Sequence, residues 1–173
     1  MKKNVIVSLA DANYFPLLDE LISSIKRFDE SRNVAICILD AGLTQEQKEK
    51  LSSKVDEIKS AEWDIDVPEY KVKDKEWLKS QVSRAFLPKY FPNYEKYLWI
   101  DCDAWVNDWN CVELYFKACN DGKLGIILDG NVSASIKSDI YKNITAFTAN
   151  NIVACRCSCK SGGDLSTNTK KGN

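Results

Sequence analysis

Residues 96–108 read KYLWIDCDAWVND. An apolar run, Tyr97 to Ile100, ends in two carboxylates one residue apart, Asp101 and Asp103, and apolar residues return at once with Ala104, Trp105 and Val106. A lone buried carboxylate is costly unless it is paired or bound to a metal. The pair is therefore expected at the rim of a buried strand, where residues i and i+2 face the same way. A hard divalent cation, Mn²⁺ or Mg²⁺, suits such a half-site, because it takes one or two protein carboxylates and fills its other positions with phosphate oxygens and water. The chain contains a control with the same spacing, Asp64 and Asp66 in EWDIDVP. No buried strand leads into it, and it reads as a solvated edge or loop.

Outward from this stretch the pattern alternates between strands and helices. Asn4 to Leu9 has strand length. Pro16 opens a helix with Leu18, Leu21, Ile22, Ile25 and Phe28 at helical spacing. Val34 to Leu39, VAICIL, is nearly all apolar, as expected of a parallel strand covered on both faces. Asp40-Ala41-Gly42 is a turn, and Thr44 with Gln47 forms a capping box for a helix through about Leu51. Residues 55–66 hold one or two weak strands. Asp74 is expected to cap a helix over 75–87, with Trp77, Leu78, Val82, Ala85 and Phe86 on one face and Pro88 as its end. Asp108 caps a helix over 109–120 closed by Gly122, and Leu124 to Leu128 is a further buried strand. This order predicts an α/β fold, a mostly parallel sheet with helices on both faces. Ligands of such sheets bind beyond the carboxyl ends of the strands. Attention therefore falls on Ala10, Asp11 and Asn13, on Asp40, on Asp101 and Asp103, and on Asp129.

A chain of 173 residues with 45% hydrophobic and 28% charged residues fits one globular domain. The net charge of −1 argues against a nucleic-acid partner. No apolar run approaches the roughly 18 residues of a transmembrane span. The basic start, MKKN, leads into too short an apolar segment for an export signal, so a cytoplasmic setting is expected. Histidine is absent, which rules out His-based triads and His general-base chemistry within these residues. Seven cysteines are present. Cys155, Cys157 and Cys159 lie too close together for the usual zinc spacing. Beyond residue 131 the pattern changes. Ile136, Ile140, Ile144 and Phe147 could line a helix, and from Ala154 the chain is poor in apolar residues, as disordered segments are. The expected division is 1–131 as the ligand-binding unit, 132–153 as a helical or irregular extension and 154–173 as a tail whose composition is that of a truncation or shifted reading frame.

The segments VIVSLADANYFPLLDELISSIKRF, VAICILDAGLTQEQKEKL and SQVSRAFLPKYFPNYEKYLWIDCDAWVND, taken together, resemble the nucleotide-sugar-binding half of GT-A fold glycosyltransferases, nearest to glycosyltransferase family 8. The resemblance covers roughly residues 4–130 and rests on four parts in order: a first strand followed by Ala-Asp-x-Asn-Tyr, a second strand ending in Leu-Asp, an Arg before the third strand, and the Asp-x-Asp itself. It implies an incomplete GT-A sheet that binds a nucleoside-diphosphate sugar, most often a UDP-sugar, and transfers the sugar to a hydroxyl of a glycan, lipid or protein acceptor. By matched position it implies donor contacts from Ala10, Asp11, Asn13, Tyr14, Asp40, Arg84, Asp101 and Cys102, and ligation of Mn²⁺ or Mg²⁺ by Asp101 and Asp103. Members of the family commonly carry a later metal-ligating His, which is absent from these residues, so the expectation is a nucleotide-sugar half without a full acceptor site. Two alternatives compete: a haloacid-dehalogenase-type phosphatase, which also uses an apolar run before Asp-x-Asp, and a degenerate nucleotide-binding domain without catalysis. A nucleotidyltransferase is disfavoured because the first loop, SLADANYF, has no Gly to approach phosphates.

Overall fold

The computed structural model describes residues 2–120, 125–126 and 152–155. Strands β1 (Asn4–Ala10), β2 (Val34–Asp40), β3 (Glu57–Ser60), β4 (Lys96–Ile100), β5 (Gly125–Ile126) and β6 (Ile152–Cys155) form one sheet in the order β3-β2-β1-β4-β6-β5. Every described pairing is parallel. The helices are α1 (Phe15–Lys26), α2 (Gln45–Ser52), α3 (Glu69–Val72), α4 (Lys79–Ser83), α5 (Leu87–Tyr90) and α6 (Trp109–Ala118). The α/β expectation holds.

Alternation along the central strands explains why their sequences are apolar throughout. Ile6 and Ala10 of β1, Ile36 and Ile38 of β2, and Leu98 and Ile100 of β4 share one core with Leu18, Leu21, Ile22 and Ile25 of α1 and with Trp109, Val112 and Phe116 of α6. The intervening residues, Val5, Val7 and Leu9, Ala35, Cys37 and Leu39, and Tyr97 and Trp99, share a second core with Leu87, Tyr90 and Phe91. Each strand is thus buried on both faces, and no solvent-facing polar residue interrupts it.

Local signals explain the helix boundaries. Pro16 sits in the first turn of α1. Thr44 and Gln47 form the capping box of α2, and the Asp108 carboxylate accepts from the Asn110 N–H at 2.9 Å to open α6. Gly122 and most of 124–128 lie outside the described residues.

Three expectations need correction. The helix over 75–87 is not continuous: a 3-10 turn over Glu76–Leu78 leads into α4, and α5 is separate. Pro88 has no N–H to continue a helix, but in the first turn of a new one none is needed, so it opens α5 instead of closing its predecessor. Asp74 caps nothing; it adopts φ +59°. Asp64, read as solvated, has a side chain only 1% exposed, accepting from the Tyr90 hydroxyl at 2.7 Å and paired with Lys89 at 2.9 Å. Its neighbour Asp66 is exposed, as expected. Ile152–Cys155 forms β6, which lies between β4 and β5 in the sheet. The Cys cluster begins inside this strand, and Cys157 and Cys159 lie outside the described residues.

A carboxylate cleft at the ends of β1 and β4

Strand β4 stops at Ile100. The two aspartates therefore do not converge through the strand pleat. They flank a tight turn, closed by the Ala104 N–H donating to the Asp101 carbonyl at 3.0 Å. Both carboxylates nevertheless line one cleft of ≈ 390 Å³, together with Leu9, Ala10, Asp11, Tyr14, Trp77, Ser80, Gln81, Trp99 and Cys102. The cleft sits at the carboxyl ends of the neighbouring strands β1 and β4, where the parallel sheet places ligands. No third group completes a preformed metal cage among the described residues.

Asp101 is held firmly. The indole Nε1–H of Trp99, a side chain 1% exposed, donates to its Oδ1 at 2.7 Å. Arg84 Nη2 stands 3.5 Å from the same oxygen. The guanidinium lies over the Trp99 ring, 5.2 Å from its centroid, and Arg84 Nε donates to the Ser80 carbonyl at 2.9 Å. Arg84 therefore does not line the cleft; it acts on it through Asp101. Asp103, by contrast, is exposed.

The loop that follows is pinned to α1. Ser24 is 1% exposed; its hydroxyl donates to the Leu21 carbonyl at 2.7 Å and accepts from the Val106 N–H at 3.0 Å. Arg27 donates to the Val106 and Asn107 carbonyls at 2.7 and 3.0 Å and lies near the Phe28 and Trp105 rings. Replacing Ser24 with Ala leaves the buried Val106 N–H without its acceptor, at a cost of about 1–3 kcal/mol. Urea unfolding of Ser24→Ala is expected to read that loss.

The remaining site residues divide. Ala10, Asp11, Tyr14 and Cys102 line the cleft; Asn13 and Asp40 do not. Asp11 also builds its own turn, its Oδ1 accepting from the N–H groups of Asn13 at 2.9 Å and Tyr14 at 3.0 Å. Asp40 is used structurally. Its Oδ1 accepts from Gly42 and Leu43 N–H at 2.7 and 2.6 Å, and Oδ2 pairs with Lys48 at 3.3 Å. Gly42 takes φ +128°, a conformation that favours glycine, and its carbonyl accepts from Ala12 N–H at 3.1 Å, tying this turn to the β1 loop.

Burial pushes the Asp40 carboxyl up, but the two N–H donors and Lys48 outweigh it, and the net shift is downward. A carboxyl whose folded value lies below its unfolded value stabilises above about pH 4, and that contribution is lost as pH falls through the folded value. Asp40→Asn is accordingly expected to cost about 1–2 kcal/mol at pH 7 and much less at pH 3, measured by urea unfolding at both. Burial, then the charges of Asp103, Asp101 and Asp11, raise the Cys102 thiol to about 12. In the unliganded protein it is therefore a neutral thiol at pH 7.

Trp77, Ser80, Gln81 and Trp99 were not anticipated as cleft residues. Trp77 is 50% exposed, and a large aromatic inside the charged run KVKDKEWLKS was a signal that could have found it. Trp99 carried a signal too, standing two residues before Asp101. Ser80 and Gln81 carried none.

The model of the family "Glycosyl transferase family 8" matches residues 5–151. The chain belongs to glycosyl transferase family 8. The family match runs past residue 131, where the sequence pattern had placed a boundary. A comparison with curated proteins gives no match. Among solved structures, an active-site mutant of LgtC is similar at 20% identity and a TM-score of 0.54, over 72% of this chain and 46% of that one. The galactosyltransferase LgtC in complex with donor and acceptor sugar analogs is similar at 20% identity and a TM-score of 0.48, over 64% of this chain and 41% of that one. The chain thus spans under half the length of the LgtC structures it matches. The first likeness shows the GT-A fold expected of family 8. No described helix is long and apolar enough to cross a membrane.

Proposed function

We propose that the cleft binds the donor of a glycosyl transfer, a nucleoside-diphosphate sugar such as a UDP-sugar, with a divalent cation, and that the sugar passes to a hydroxyl of a glycan, lipid or protein acceptor. The observation that carries this reading is the meeting of Asp101 and Asp103 with the β1 loop residues Ala10, Asp11 and Tyr14 in one cleft, in a chain of glycosyl transferase family 8.

The donor set suits Mn²⁺ or Mg²⁺. Asp101 and Asp103 offer hard oxygen ligands, and an open cleft leaves the other positions for diphosphate oxygens and water. When bound, such a cation supplies positive charge to the departing diphosphate. The residues of this chain do the rest. Tyr14 and Trp77 offer half-exposed aromatic faces suited to packing against a base or ribose. Asp11 keeps one oxygen outside its turn for a ribose or base donor. Arg84 keeps Asp101 oriented, and its fixed positive charge favours the growing negative charge of the leaving diphosphate over the ground state.

The phosphatase alternative is not favoured: the family match is to glycosyl transferases, and Asp101, which would be its nucleophile, is tied to Trp99 and Arg84. The test is thermal stabilisation by UDP with and without MnCl₂, followed by release of free sugar from a panel of UDP-sugars. Stabilisation that needs both components supports the donor reading. A chain indifferent to UDP in Mn²⁺ overturns it.

A further inference from the structure

Trp99 presents an unusual arrangement for a core tryptophan. Its ring is buried in the core shared with Leu87 and Phe91, yet its one polar atom is aimed out of that core at the Asp101 carboxylate, 2.7 Å away. The same ring forms the floor under the Arg84 guanidinium, which reaches the same carboxylate oxygen. A surface carboxylate samples several rotamers. One that accepts from a rigid, buried indole and also faces a stacked guanidinium is confined to one of them.

We infer that Trp99 is a positioning residue for the cation and donor: its indole N–H and ring hold Asp101 and Arg84 together, engaging Oδ1 so that Oδ2 is the oxygen presented to the cleft. This rests on the donor reading above. Trp99 touches no reacting atom in this scheme. It acts by removing the freedom that Asp101 would otherwise lose on binding, which is the advantage of a preorganised ligand. Aromatic packing alone does not require the bond. Phe at this position would fill most of the volume but could neither donate to Asp101 nor fix its rotamer.

The test compares wild type with Trp99→Phe and Asp101→Ala in ¹⁵N-indole NMR and in titrations with MgCl₂ and UDP. In wild type, the indole resonance missing from Trp99→Phe is expected downfield of the other four and slow to exchange. It should move upfield in Asp101→Ala, and it should shift when Mg²⁺ and UDP are added. Trp99→Phe should bind Mg²⁺·UDP about tenfold more weakly, the worth of one charge-assisted hydrogen bond. A Trp99→Leu variant separates volume from bonding: weakening equal to that of Trp99→Phe marks the lost N–H as the cause. An indole resonance indifferent to Asp101→Ala overturns the inference even where a variant folds poorly. Equal affinity of wild type and Trp99→Phe overturns it and leaves the donor reading standing. Failure of wild type itself to bind UDP in either Mg²⁺ or Mn²⁺ overturns both.

Discussion

Asp103→Ala is expected to abolish the Mn²⁺-dependent stabilisation by UDP while leaving the unliganded protein as stable as wild type. Asp103 is exposed, and surface substitutions of this kind change stability by about 0.5 kcal/mol or less. Its value lies in what it would hold. If wild type binds as proposed, UDP at about 100 times its dissociation constant should stabilise the folded state by about 2.7 kcal/mol, which in a chain of this size should raise Tm by roughly 5–10 °C. Without the Asp103 carboxylate the cation keeps only Asp101 among the paired ligands, and that rise should shrink to within about 1 °C. Where sugar release from a UDP-sugar is measurable, the same change should lower it by about 10²–10³-fold. Retained stabilisation in Asp103→Ala would place the cation elsewhere and remove Asp-x-Asp from the site. Asp103→Glu, which keeps the charge on a longer arm, is expected to recover part of the effect.

Phe91→Ala tests a different link, between the sheet and the segment that walls the cleft. Phe91 is fully buried. It packs with Leu87, Tyr90, Tyr97 and Trp99, and its carbonyl accepts from the Tyr97 hydroxyl at 2.7 Å. Truncation of such a ring costs about 3–5 kcal/mol, a large share of the stability of a domain this size. The consequence should reach function, because the chain immediately before it carries Trp77, Ser80, Gln81 and Arg84. Urea unfolding should give the stability loss, and the UDP titration a weaker affinity at temperatures where the variant is still folded. Full affinity in a variant so destabilised would mean that this wall contributes little to binding.

Much of the framework was legible because it rests on local signals. Two-faced strands show as nearly unbroken apolar runs, as in VIVSLA and VAICIL, and the caps at Thr44 and Asp108 are written in residues next to the helices they start. The family resemblance, carried by four spaced motifs, agrees with the family match. The segment from Ala61 to Phe86 was misread because its course is decided by docking and not by its own pattern. The apolar spacing of Trp77, Leu78 and Val82 suggests a buried face, yet Trp77 turns to the cleft, and the fully buried positions are Ser83 and Leu87.

The sequence by itself determined the strands of the α/β pattern and the position of the two carboxylates at the end of the fourth, since the apolar runs that mark them depend on neighbours within a few residues. Only the tertiary structure decided what each acidic side chain does. Asp40 and Asp101 look alike in sequence, each closing an apolar strand. Yet Asp40 is spent on its own turn and Lys48, while Asp101 is held at the cleft by Trp99 and Arg84. Asp64, with the same spacing to Asp66 as Asp101 to Asp103, is buried by Tyr90 and Lys89, some 25 residues along the chain. A carboxylate's role follows from which donors reach it, and donors brought in from distant elements leave no mark in the residues beside it.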